Sequence, residues 1–238
     1  MLYTKIYGII IYINIILYSN NLLKKLFVFK IVLDINFMNL NYNNISFKAW
    51  VQIIFVFTLF VYGFGISIPL MEPDAAVYAE IPMEMVKNHN YAEIQLKGKD
   101  WLDKPHFQFW ITSVSYHLFG FNNFGFKFPA ILFSLLSIYY VFLFGKRFYS
   151  VKHGILAAII LMTAEHFIIS NNDVRAEPYL TALTIFSMYH FAAYLENKKY
   201  TFLILGSAGL AGLLMTKGLF TIIPVASALG LTLLYDKK

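Results

Sequence analysis

Residues 106–119 read HFQFWITSVSYHLF, and whether this stretch crosses a membrane or lies along one decides the topology of the chain. Phe107, Trp110, Ile111, Val114 and Leu118 fall on one helical face, and Gln108, Thr112 and Ser115 on another. At about 1.5 Å per residue the stretch reaches roughly 21 Å, short of a hydrocarbon core about 30 Å thick. It therefore reads as a helix lying in the membrane interface.

A membrane is implied by composition. Of 238 residues, 59% are hydrophobic and 13% charged, against about a quarter charged in soluble domains. The absence of cysteine excludes disulfides, a thiolate nucleophile and a zinc–thiolate site. The net charge of +6 lies between apolar segments, with no basic stripe interleaved with aromatics, so nucleic acid is not an expected partner. There is no internal repeat, P-loop, GxGxxG or HExxH, and the histidines lack metal-ligand spacing.

Residues 49–70, AWVQIIFVFTLFVYGFGISIPL, carry no charge and have about the length of a span. Further apolar stretches at 127–145, 154–170, 178–195, 201–216 and 218–235 make five more. Residues 1–47 stand apart. Their one apolar stretch, 6–18, is short for a span, so they read either as an extension upstream of a true start at Met38 or as a weak additional anchor.

Charge tests the interfacial reading of 106–119. Lys146, Arg147 and Lys152 sit in one short acid-free loop, and Lys198, Lys199, Lys237 and Lys238 in two others. The opposite side would hold as many: Lys87, Lys97, Lys99, Lys104, Lys127, Arg175 and Lys217. Density discriminates where number does not, because most of the second set is diluted through a long, net acidic loop. An interfacial 106–119 puts every dense basic loop on one side. The expected fold is an all-α polytopic membrane protein with a first external loop at 71–126, a second at 171–177, and residues 48–238 in one transmembrane domain.

The first external loop opens with MEPDAAVYAEIPMEM, residues 71–85, which hold four carboxylates. Val77, Ile81 and Met85 recur at i+4 with Glu80 and Glu84 on another face, which describes a second amphipathic helix with Asp74 as its N-cap. Pro82 should kink that helix or start it. Glu80 and Glu84 read as solvating charges. Asp74 differs, because it follows a span directly, where an unpaired carboxylate is costly and usually functional. The segment WLDKPHF returns the chain to the interface with Asp103 and Lys104, and the second loop adds Asp173, Arg175 and Glu177. Four carboxylates and two cations at one membrane boundary suit deprotonation of a hydroxyl or amine and neutralisation of an anionic leaving group, with phosphate the natural anion. Outside the cytosol no nucleotide-activated donor is supplied, so the substrate would arrive on a membrane lipid.

The order of EPDAAVYAEIPMEM, LDKPHFQFWI, FKFPAILFSLLSIYYVFLFGKRFYS, NNDVRAEPYLT and LLMTKGL resembles the GT-C class of membrane glycosyltransferases. The similarity, over about residues 49–225, is to the 4-amino-4-deoxy-L-arabinose transferases and the dolichyl-phosphate-mannose protein mannosyltransferases. It implies a GT-C transmembrane helix bundle that transfers a sugar from a polyprenyl-phosphate donor to a lipid or protein acceptor at the periplasmic face of a bacterial inner membrane. By position Asp74 matches the family's first-loop general base, and Lys104 the lysine that contacts donor phosphate, with Asp103 beside it. Glu177 falls where relatives usually carry Asp, one methylene shorter. Arg175 and Asp173 are its neighbours, Tyr78 matches the tyrosine of an RYAE-like turn, and Lys217 lies near the outer ends of the spans. The family chemistry implies no metal and no cofactor. Relatives continue through further spans, so the resemblance covers their N-terminal half, and a truncated product, a fragmentary gene model or one half of a split protein is expected. An inactive fragment and a non-catalytic transport or scaffold protein are the alternatives; the latter would need ionisable residues facing a pore, and Glu165, His166 and His190 are the main ones in the later spans.

Overall fold

The computed structural model describes residues 47–70 and 72–235. The expectations for residues 1–46, including the apolar stretch 6–18 and Met38, lie outside the described residues, as do Lys237 and Lys238. Val51–Val225 forms one compact unit, and the described residues 47–50 and 226–235 belong to a second. Every site residue named above belongs to the first.

Among the described residues the order is α1 (Phe47–Gly65), α2 (Pro73–Asn88), a hairpin of β1 (Gln95–Leu96) and β2 (Lys99–Asp100), α3 (Phe107–Phe119), α4 (Asn123–Phe148), α5 (Val151–Met162), α6 (Glu165–Asn172), α7 (Glu177–Asn197) and α8 (Tyr200–Lys217). A 3-10 turn, Leu219–Thr221, then leads into α9 (Ile222–Tyr235). By length and apolar composition α4 and α8 can each cross a membrane, and α5 with α6 makes a third candidate. The segments Val51–Gly65 and Leu219–Leu234 are apolar but shorter.

The expected span at 154–170 is broken: α5 and α6 meet at a bend of 54°. Thr163 Oγ1 donates back to the Ile159 carbonyl at 2.8 Å, and Ala164 adopts extended backbone before α6 restarts. Such a break is legible neither from proline nor from glycine, since residues 160–166 contain neither.

The long helices pack closely where side chains are small. In α8, a Cβ added at Gly209 would lie 2.5 Å from Ser187 Oγ of α7, and between α4 and α5 one added at Gly145 would lie 2.7 Å from the Gly154 Cα. Among the described residues three apolar clusters form the core. Tyr116, Phe126, Ala130, Val174 and Tyr179 make one, beneath the site. Ile81, Met85, Ile94 and Phe109 knit α2 to the hairpin and α3. Tyr62, Ile138, Met162 and Phe167 join α1 to α4 and the α5–α6 break.

Helix α2 follows the expected periodicity, with Ile81 and Met85 buried, but its start differs. Glu72 holds the N-cap position, Pro73 the first turn, and Asp74 lies within that turn instead of capping it. Proline suits the first turn because its missing N–H would be unpaired there anyway. Nor does Pro82 start or stop the helix, which runs from Pro73 to Asn88 through it. Pro82 is buried against α3, where Ser113 Oγ donates to its carbonyl at 3.4 Å, and this packing offsets the lost helical hydrogen bond.

Helix α3 turns its polar face inward. Gln108, Thr112, Ser113 and Ser115 are buried, while Trp110, Val114 and Leu118 face outward. An outward apolar face with an inward polar one is the reverse of a soluble surface helix. Replacing Gly209 with Val should lower thermal stability in detergent by roughly 1–3 kcal/mol through overpacking. Gly63→Val, where no atom lies within 4 Å of the added Cβ, should leave the melting temperature close to that of the parent. Equal shifts in the two variants would contradict the close α7–α8 packing.

Candidate active site

The site is built at helix ends. Asp74 lies exposed in the first turn of α2, and Tyr78 one turn later. The chain then leaves α2 and forms the hairpin, whose turn residues Lys97 and Gly98 both have positive φ, as the favoured two-residue hairpin turn requires. Glu84 fastens this turn to α2 by accepting from the Lys97 backbone N–H at 2.7 Å. The hairpin delivers Trp101, and directly after it Asp103 and Lys104, to the base of α2.

Tyr78, Trp101 and Phe109 form a cluster of edge-on rings, with centroids 5.6 to 6.2 Å apart. Lys104 Nζ donates to Asp103 Oδ2 at 2.7 Å. Partial burial raises the Tyr78 phenol above its ordinary value; the Lys104 charge opposes this, and Asp74, Asp103 and Glu177 add to it. Lys104 is raised in turn, first by its hydrogen bond to Asp103, with Tyr78 and Asp74 contributing. Tyr78 thus lies within electrostatic reach of Asp74, Asp103, Lys104 and Glu177, and Lys104 within reach of Asp74, Tyr78 and Asp103.

Glu177 opens α7 and Lys217 closes α8, and the two side chains meet at 3.5 Å. Arg175 does not join the Lys104 group directly. It pairs with Glu72 at the N-cap of α2, so an ion pair ties the two loops together. Glu72 is a site residue that the sequence pattern alone did not single out, because a glutamate preceding proline reads as a helix start. Trp101 was missed as well, its signal being only an aromatic next to a turn.

Asp173 is placed differently from its neighbours. It is buried, its Oδ1 has no hydrogen-bond partner, and it lies within electrostatic reach of Lys127 in α4, away from the exposed cluster. Between Asp173 and Arg175, Val174 has φ of 49°, and the Arg175 N–H reaches the Ser170 carbonyl at 3.0 Å. This is a Schellman closure of α6 with valine where glycine is usual. It turns Asp173 inward while Arg175 reaches Glu72.

Chemically the arrangement offers an exposed carboxylate at a helix start, a phenol, and ammonium and guanidinium groups that are each paired with a carboxylate of the chain. Such a set can take a proton from a nucleophile and receive a phosphate leaving group. Among the described residues no group of three or more His, Asp or Glu is placed to hold a metal ion.

The fold falls into a known class. It superposes with a TM-score of 0.70 on the crystal structure of ArnT from Cupriavidus metallidurans in the apo state, at 21% identity over 79% of this chain and 36% of that one. The same protein bound to undecaprenyl phosphate superposes at 0.68, covering 75% and 34%. This is the GT-C membrane glycosyltransferase fold. The model of the family described as dolichyl-phosphate-mannose-protein mannosyltransferase matches residues 103–237, more than half of the chain, and the chain belongs to that family.

Curated relatives named undecaprenyl phosphate-alpha-4-amino-4-deoxy-L-arabinose arabinosyl transferase include one from Wigglesworthia glossinidia brevipalpis, 38% identical over 39% of this chain and 16% of that protein. Another, from Edwardsiella ictaluri, is 28% identical over 72% of this chain and 33% of its own length. A third, from Proteus mirabilis, is 27% identical over 82% and 36%. The chain thus spans about a third or less of the length of these relatives.

Because the Asp103 hydrogen bond is the first cause of the raised Lys104 value, Asp103→Asn should lower the pKa of the Lys104 amine, and adding Asp74→Asn should lower it further. Titration of the lysine side-chain nitrogen by NMR in nanodiscs, assigned with Lys104→Arg, measures this. A Lys104 signal that titrates identically in the parent and both variants would refute the coupling.

Proposed function

We propose that the chain forms the base-and-phosphate part of a membrane glycosyltransferase that moves a sugar from a polyprenyl-phosphate donor to a lipid or protein acceptor at the periplasmic face of a bacterial inner membrane. The observation that supports this reading is that Tyr78 lies within electrostatic reach of Asp74, Glu177 and the hydrogen-bonded Lys104–Asp103 pair, with Lys217 on Glu177. Family membership and the likeness to a protein solved with undecaprenyl phosphate support the donor class.

In this reading Asp74 takes the proton of the acceptor hydroxyl or amine as that atom attacks the anomeric carbon. The bond between that carbon and the phosphate oxygen breaks, and the electron pair leaves on the lipid phosphate. Lys104, held by Asp103, receives the phosphate charge, with Arg175 available once it exchanges Glu72 for the anion. Attack opposite the leaving group inverts the anomeric centre. Glu177 orients or polarises the acceptor, its own charge balanced by Lys217. Tyr78, kept protonated by burial, serves as a hydrogen-bond donor to the sugar or phosphate. Asp173 supports the second loop from beneath.

Asp74→Asn should lower transfer by roughly 10²- to 10⁴-fold, the usual worth of a general base, without altering membrane insertion. Membrane vesicles carrying the full chain, supplied with a radiolabelled polyprenyl-phosphate sugar, provide the assay. Parent-level transfer in Asp74→Asn would remove Asp74 from the role of base. Lys104→Met should instead weaken donor binding, by about 10- to 100-fold if one charge-assisted hydrogen bond to phosphate is lost.

A further inference from the structure

Lys127 is fully buried in α4, and the transfer chemistry makes no use of it. A buried ammonium is costly unless it is paired and hydrogen-bonded. Its Nζ donates to the Gly65 carbonyl at 2.9 Å and to the Ile68 carbonyl at 2.5 Å, at the C-terminal end of α1. The Gly65 carbonyl closes α1, where a cation is favoured by the helix dipole, and it also accepts from the Ile68 N–H at 3.2 Å; the Ile68 carbonyl lies three residues beyond the helix. Asp173, buried and with an Oδ1 that has no hydrogen-bond partner, lies within electrostatic reach of the ammonium. A second, independent contact joins the same elements: a Cβ at Gly65 would fall 1.9 Å from the Asn172 side chain, so the end of α1 lies directly against the end of α6.

We infer that Lys127 is a positioning residue that holds the end of α1 against the end of α6, and so sets the separation between the loop bearing Glu72 and Asp74 and the loop bearing Arg175 and Glu177. Its consequence for catalysis rests on the transferase reading above. Its geometric part does not. The path is short: three residues separate Ile68 from Glu72 at the N-cap of α2, and one separates Asp173 from Arg175. The Lys127 ammonium hydrogen-bonds Gly65 and Ile68, neither of them in the exposed cluster, so its effect on chemistry would pass through these two loops.

The chain has no cysteine, so Glu72→Cys with Arg175→Cys introduces a single thiol pair at positions that form an ion pair in the structure. With that ion pair removed, the Lys127 hydrogen bonds and the close Gly65–Asn172 approach are the ties that the inference leaves to hold the loops. Because a direct disulfide needs Cα atoms within about 7 Å, the pair is joined with a short bis-maleimide; in vesicles carrying the full chain this crosslinking should proceed readily with Lys127 present and roughly tenfold more slowly with Lys127→Met, a factor equivalent to about 1.4 kcal/mol. Lys127→Gln, which keeps an N–H donor, should fall between them, and Gly65→Ala should slow crosslinking as Lys127→Met does. If Lys127→Met fails to insert, the Gln and Ala variants carry the same comparison. Crosslinking unchanged by these substitutions overturns the inference whether or not the chain transfers sugar.

In the transfer assay, with Glu72 and Arg175 native, Lys127→Met should lower kcat roughly tenfold while leaving donor KM within about twofold. If Asp74→Asn abolishes transfer and Lys127→Met leaves kcat unchanged, the transferase reading stands and the positioning role falls.

Discussion

A helix that ends at a membrane boundary leaves up to four carbonyls or four N–H groups without helical partners, and each must find one. This constraint organises the site. The Gly65 carbonyl at the end of α1 takes the Lys127 ammonium, the end of α6 closes on itself through Val174, α7 begins with the carboxylate of Glu177, and α8 ends with the ammonium of Lys217. Asp74 sits in the first turn of α2, where a negative charge is likewise favoured. Asp74, Glu177 and Lys217 each meet a helix end whose dipole suits its sign, whereas Asp173, the C-cap of α6, does not. The cluster is therefore a set of helix termini gathered at one end of the bundle, and the chemistry proposed for it uses charges that the fold already has reason to keep there.

Much of this was visible in the sequence because periodicity and apolar run length act locally. The faces of α2 and α3 follow from the spacing of Ile81 and Met85 and of Gln108 and Thr112, and the long helices α4 and α8 from uninterrupted apolar runs. The acids and cations were found in chain order because they interrupt those runs. What sequence could not show depends on partners without a sequence signature. Lys127, one of seven basic residues on its expected side, reads as an ordinary flanking charge, because the carbonyls of Gly65 and Ile68 that bind it look like any others. The break between Met162 and Glu165 is hidden for a related reason. Threonine bonding back to its own helix and one alanine in extended backbone leave no proline or glycine to mark the place.

The second loop shows how a local cost is met by packing. Valine in the left-handed region is disfavoured by about 1–2 kcal/mol, and a branched Cβ makes it worse. Burial of the Val174 side chain among Tyr116, Phe126, Ala130 and Tyr179 opposes that cost, since covering a valine from water is worth a similar amount. The conformation has a directional effect that an extended valine would not. Asp173 and Arg175, two residues apart, go to opposite environments, one buried near Lys127 and the other partly exposed on Glu72. An apolar contact thereby decides where two charges go.

These charges divide into two kinds by exposure. The pairs Lys104–Asp103, Arg175–Glu72 and Lys217–Glu177 are all partly exposed, and such pairs contribute about 0–1 kcal/mol. A phosphate entering among them can exchange partners at little cost, so each cation is kept near its place by a carboxylate that is easily released. Lys127 is the opposite case, because breaking a buried ionic contact without replacing it costs several kcal/mol. Exchangeable charges line the surface where a lipid phosphate would arrive, and the fixed charge lies beneath them. A site that must neutralise an anion and then release it needs both properties, and burial alone is what separates them here.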